Sequence, residues 1–262
     1  MNPFEHLPAE IVELLNTLAG QPMYGGIATT YTPFILLILF LVVVIIFSAR
    51  SKLALVPPNR FVGVVEFFVN FTKGEIGENA LGSAARKHLP FLLTLFLFIL
   101  VSNLVGIIPG SKAATGTIGT TLALTVISFV YFTYYGIKHH GLGGYILSYR
   151  PPGVKPAFLG WFVWLLELFS MLLRLLTLSV RLFANMFAGH LLLGVLAILT
   201  TLFVTPLVTA FAAQSVGFAG AGVLFLVLLA VMYAMELFVA CVQAYVFTLL
   251  TSVYVMLATS EH

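Results

Sequence analysis

Charge is scarce in this 262-residue chain: only 8% of its residues are Asp, Glu, Lys or Arg, against 61% hydrophobic. Several apolar runs are long enough to span hydrocarbon, which makes it an integral membrane protein rather than a soluble one. The single cysteine, Cys241, rules out an internal disulfide framework. Catalytic signatures are missing as well. There is no G-x-x-x-x-G-K-[ST] phosphate loop, no His-Glu-x-x-His helix, no paired-cysteine metal site and no nucleophile elbow, so no catalytic site of its own, no cofactor and no metal are expected. His139-His140 has no further ligand in its loop and reads as a solvated pair. The net charge of +3 comes mostly from loop lysines and arginines and reports membrane orientation, not nucleic-acid binding.

The apolar runs are continuous rather than alternating, which favours helices over a barrel and a single all-α membrane domain over 1–262. Five membrane segments are expected: 31–49, 89–108 closed by Pro109-Gly110, 118–137, 161–210 and 222–258. At 1.5 Å rise per residue the last two exceed a hydrocarbon core of about 30 Å, so they must tilt strongly or bend, with Pro206 as one bend site. Gln214, Ser215, Gly217, Gly220 and Gly222 between them suit a break that folds the two long helices into an antiparallel hairpin. Residues 61–78 are too polar to span and read as an amphipathic helix on the inner membrane surface. Asn70-Phe71-Thr72, which matches a glycosylation pattern, falls in that inner loop and is set aside as chance.

Orientation follows from the loops. Residues 1–49 carry Glu5, Glu10 and Glu13 but no Lys or Arg, whereas the next loop carries Arg50, Lys52, Arg60, Lys73, Arg86 and Lys87, and the one after the third span Lys138, Arg150 and Lys155. The positive-inside rule puts the N-terminal segment 1–30 outside, both basic loops inside and the C-terminus inside. No cleavable signal peptide is expected.

Within the apolar background stands Arg181. A central arginine in a membrane helix costs about 2.5–3.5 kcal/mol on insertion scales, so it persists only with a partner or water. The nearest acids along the chain are Glu167 and Glu236, and the matching carboxylate is expected on another polypeptide. At 100° per residue, Glu167, Ser170, Arg174, Thr177, Arg181 and Asn185 fall within an arc of about 80°, a polar stripe roughly 27 Å long. The last helix carries Glu236, Gln243 and Tyr254 on one face. If the two helices are antiparallel, pairing Arg181 with Gln243 and His190 with Glu236 both imply a turn near Ala212 and Ala213. Titratable groups then lie on both sides of a cation that cannot itself relay a proton. His190 points about 140° away from Asn185, so two separate water-accessible half paths fit better than one continuous pore.

Arg181-Leu182-Phe183-Ala184-Asn185 with Ala188-Gly189-His190, and Gln243-Ala244-Tyr245-Val246-Phe247 with Leu249-Leu250-Thr251 and Tyr254, resemble subunit a of the F-type ATP synthases. Ser102-Asn103-Leu104 to Pro109 and the five-span layout extend the resemblance over most of the chain, least before residue 30. It departs from common members in having Arg174 where lysine is frequent, Ala184 where glycine is, and histidine before the acid in the His190/Glu236 pair. The resemblance implies a proton-translocating stator subunit whose Arg181 faces the carboxylate of a rotating ring of c subunits. It further implies Glu167 in an inner half-channel with Ser170 and Arg174 on the same stripe, Asn185 and Gln243 as polar companions of Arg181, and His190 with Glu236 in an outer half-channel. Implied partners are the c-ring, b-type peripheral-stalk subunits and the lipid bilayer, in a bacterial plasma membrane rather than a mitochondrial inner membrane. From the residues alone, an independent secondary transporter binding an anion at Arg181 is the alternative. The lack of an inverted repeat weighs against it.

Overall fold

The structure, a computed structural model, describes residues 7–20, 22–23, 28–50, 60–148, 157–209 and 216–259. Eight α-helices occur among them: α1 Leu7–Leu18, α2 Thr32–Arg50, α3 Arg60–Phe71, a single turn α4 Asn79–Leu81, α5 Ala85–Ile107, α6 Ile118–Ser148, α7 Ala157–Thr209 and α8 Val216–Thr259. Two short strands, β1 Pro22–Met23 and β2 Ala28–Thr29, pair antiparallel between α1 and α2. Four of the described helices are long and apolar enough to cross a membrane: α5, α6 as far as Gly141, α7 and α8. The apolar stretch of α2, Thr32–Phe47, is shorter.

At the centre lies α5, buried on nearly all sides from Leu92 to Gly106. It ends where the sequence suggests. Ser111 donates its hydroxyl to the carbonyls of Val105 and Ile108, capturing acceptors that a helix end leaves open, and Gly110 turns the chain at φ 85°. On α8 the buried face consists largely of Ala240, Ala244, Thr248, Thr251 and Ser252, small side chains that let backbones approach closely where apolar burial supplies no driving force. The hydroxyls of Thr248 and Thr251 donate to carbonyls one turn back at 2.9 Å, so neither hydroxyl is stranded. Gly141 interrupts α6 with φ 73°, a conformation that favours glycine, so the apolar span stops there rather than at 137.

The segment expected as one surface helix over 61–78 is α3 followed by seven π-helical residues, Thr72–Glu78. Wider π turns free carbonyls from the α ladder. Within this stretch, Ile76 O accepts a hydrogen bond from Ser252 Oγ of α8 at 3.2 Å, tying the segment to α8. The N-terminal segment is more structured than its sequence implied. Tyr31 donates its phenol to Leu18 O at 2.7 Å, and Lys112 Nζ donates to Thr17 O at 2.7 Å and Thr30 Oγ1 at 2.9 Å while lying over the Tyr31 ring. Partial burial holds the Lys112 pKa below the usual lysine range. Leu14 of α1 in turn fills the space beside Gly194 of α7.

A buried polar knot joins α5, the α5–α6 turn and α8. Thr115 Oγ1 donates to Asn103 Oδ1 at 2.7 Å, Thr115 N donates to Ser102 Oγ at 3.1 Å, and Asn103 Nδ2 donates to Ala240 O at 3.3 Å. All three side chains are fully buried. Thr115→Val keeps the shape but strands Asn103 Oδ1, and is expected to destabilise the fold by about 1–3 kcal/mol, whereas Thr115→Ser retains the bond. Thermal unfolding of the purified protein checks this: equal midpoints for the Val and Ser variants would contradict it.

Candidate functional site

The site is built on α7 and α8, which lie side by side and antiparallel: contacts run from Phe203 with Phe225, through His190 with Glu236, to Asn185 with Gln243. One face of α7 is buried through Leu178, Ser179, Leu182 and Met186. The opposite face is exposed and mostly apolar, with Leu173, Leu176 and Val180 on α7 and Phe238 and Val242 on α8. Arg174 and Arg181 emerge on that exposed face. Among the described residues Arg181 forms neither a hydrogen bond nor an ion pair, and its charge, like that of Arg174, acts at a distance on the Tyr254 phenol. An apolar surface of this extent is one that lipid or a second protein covers.

Of the predicted stripe, Arg174, Thr177, Arg181 and Asn185 are exposed on one side of α7 and Ser170 is half-buried there. Thr177 donates its hydroxyl to Arg174 O at 2.9 Å, leaving the guanidiniums as the outward polar groups. The Glu167 side chain and the turn near Ala212 and Ala213 lie outside the described residues, although the α7 backbone is helical at 167.

Gln243 does not pair with Arg181. Its Oε1 accepts a 2.9 Å hydrogen bond from Asn185 Nδ2, one turn farther along α7, because the antiparallel register brings 185 rather than 181 level with 243. The bond places an amide pair about 6 Å along the axis from the arginine. Gln243 is buried and its Nε2 has no hydrogen-bond partner.

His190 and Glu236 come together as the sequence suggested, with Nδ1 and Oε1 3.4 Å apart. That is ion-pair distance without hydrogen-bond alignment: both Glu236 oxygens and His190 Nε2 remain unpartnered although buried. Unmet polar capacity of this density is what ordered water satisfies. Two glycines make the room. A Cβ on Gly189 would stand 2.8 Å from Glu236 Oε1, and one on Gly106 would stand 3.0 Å from His190 Nε2 and 2.6 Å from Ala113 Cβ.

Sequence reasoning assigned no role to Ser102, Asn103, Gly106 or Thr115. Yet Asn103 bonds the backbone of Ala240, one turn from Glu236, and so the polar knot of α5 adjoins the His190–Glu236 site on the side facing Gln243. The available signal was the polar pair Ser102-Asn103 inside an otherwise apolar run. A double-mutant cycle with Asn185→Ala and Gln243→Ala should give a coupling of about 0.5–1.5 kcal/mol in thermal unfolding, the value of a neutral hydrogen bond. Strict additivity would contradict the pairing.

The chain matches the family model "ATP synthase A chain" over residues 30–256. It is similar to "ATP synthase subunit a" of Wolbachia sp. subsp. Drosophila simulans, 33% identical over 97% of both chains, and of Ehrlichia ruminantium, 34% identical over 95% of this chain and 96% of the relative. The relative from Chloroherpeton thalassium is 34% identical over 78% of this chain, which spans only 57% of that relative's length. With the family model running through both site helices and a third of the residues shared along nearly the whole of two relatives, the chain belongs to the ATP synthase subunit a family.

Proposed function

We propose that this chain is the proton-translocating stator subunit of an F-type ATP synthase membrane sector. In this reading five segments cross the membrane, α7 and α8 form a tilted hairpin, and the hairpin's exposed face lies against the c-ring, with b-type stalk subunits elsewhere. The observation that carries it is the position of Arg181: a permanent cation projecting from an exposed apolar face, unpaired among the described residues, one turn from the Asn185–Gln243 amide pair. The cost of such a charge in hydrocarbon is offset if a carboxylate on a neighbouring helix passes it. The bacterial sources of the relatives support a plasma membrane.

Protons enter from outside through water at His190 and Glu236, whose unpartnered atoms give them capacity to accept and pass protons along hydrogen-bonded water. The path continues past the Asn103 knot towards Gln243 and Asn185. A ring carboxylate neutralised there can enter lipid, where the ionised form would be costly. After nearly a full turn it reaches the inner path, on the Glu167 and Arg174 side, and Arg181 favours its ionised state by opposite-charge attraction. The fixed positive charge also repels protons crossing directly, so transport is coupled to rotation. Each proton moved through the membrane potential supplies about 2.3 kcal/mol per 100 mV, the energy a leak would waste.

Arg181→Ala is expected to abolish gradient-driven ATP synthesis in a complex that still assembles with its ring and stalk. Measured synthesis at the unsubstituted rate by the assembled variant would refute the role. Glu236→Gln keeps the burial and shape but removes the titratable acid, so proton entry from outside should slow at least several-fold, read as flux through the membrane sector in vesicles. An unchanged flux across a wide pH range would reject Glu236 as an entry group.

A further inference from the structure

At the end of the bundle opposite His190, the N-terminal turn of α5 meets the C-terminal part of α6 in an aromatic cluster with two lysines on it. His88 is buried between them, its Nδ1 2.9 Å from Tyr131 Oη and its ring edge-on to Tyr135 at 4.6 Å, while Phe91 stacks on Tyr131 at 3.7 Å. Lys87 Nζ lies 4.5 Å from the centre of the Tyr135 ring and Lys138 Nζ 5.9 Å from that of Tyr134, and the two tyrosine rings are 5.4 Å apart. Neither ammonium has an ion-pair partner among the described residues, and both are exposed. Cation–π contact positions an ammonium through its charge while leaving N–H donors free for an anion. The site described above uses none of these groups.

The surface leading away from the lysines has a definite order. Exposed Leu122, Val126, Val130 and Tyr134 follow one another four residues apart on α6, and Lys138 continues the row. Apolar, then aromatic, then cationic is the order in which a phospholipid leaflet changes from acyl chain to interface to phosphate. Basic clusters between the inner ends of membrane helices bind anionic headgroups, and the excess of Lys and Arg places this end on the inner side.

We propose that Lys87 and Lys138, held on Tyr135 and Tyr134, seat the headgroup of an anionic phospholipid of the inner leaflet, with an acyl chain along Val126 and Val130. An acidic protein segment could answer the two charges, but it would gain nothing from an apolar row running into the hydrocarbon. The His88–Tyr131 contact holds the two helix ends together and so fixes the spacing of the lysines. The seat extends the membrane reading of the chain and does not touch the Arg181 path, so its failure would leave the proposed proton path standing.

The test reconstitutes the intact complex in phosphatidylcholine vesicles containing a photoreactive phosphatidylglycerol, or a photoreactive phosphatidylcholine with the same acyl chains, and maps the crosslinks on α6. Phosphatidylglycerol should label 126–134 several-fold more than phosphatidylcholine, and rising salt should erode the preference. K87Q/K138Q should cut phosphatidylglycerol labelling by about tenfold or more, since each basic residue near a bilayer surface contributes roughly a fivefold gain. K87R/K138R should retain it. Equal labelling by the two lipids, or labelling indifferent to the glutamine pair, would overturn the seat. Absence of labelling by either lipid would also overturn it, by showing that a protein covers this face. The salt series on the unsubstituted complex decides the matter even if a variant fails to assemble.

Discussion

A guanidinium does not give up its proton in a protein, and hydrocarbon does not solvate it, so an arginine inside a membrane helix must be served by something outside that helix. Most features of this chain can be ordered around that constraint. The buried face of α7 is held by Leu178, Ser179, Leu182 and Met186, while Arg181 stands outward on an exposed surface. Gln243 of α8 meets Asn185, one turn away. On the proposed reading this is a stator holding one fixed charge where a moving acid can find it.

The second theme is incomplete satisfaction. Most polar groups in the bundle are matched with care: Thr248 and Thr251 return their hydroxyls to their own helix, and Ser102, Asn103 and Thr115 close a knot around Ala240 O. Against that background, four unpartnered buried atoms at His190, Glu236 and Gln243 stand apart. Burying such atoms dry costs free energy, so their clustering beside glycines that leave room argues for water in a defined place. On the proposed reading, structure and proton path share the same helices, with Asn103 of α5 beside both.

Much of this was legible in the sequence because hydropathy, periodicity and punctuation are local signals. The long helices, the stop at Pro109-Gly110, the α7 stripe from Ser170 to Asn185 and the meeting of His190 with Glu236 all follow from spacing. The partner of Gln243 was misjudged by four residues, because an index-sum argument fixes a turn to within a helical turn and no better. The attachment of the N-terminal segment through Lys112 escaped notice because it depends on contacts across 82 and 95 residues, to which periodicity is blind. The π-helical Thr72–Glu78 was equally hidden: its stabilising bond comes from Ser252, far away in the chain. Asn103 was visible as a polar residue in an apolar run, but its meaning required knowing that Ala240 would face it.

The central claim concerns what stands opposite Arg181. A map of the assembled membrane sector, fine enough to resolve side chains, tests it directly. The account predicts the guanidinium facing a carboxylate of an adjacent ring helix, directly or through one water. A guanidinium paired with a carboxylate of its own chain, or opening into a cavity with no ring helix alongside, would contradict it.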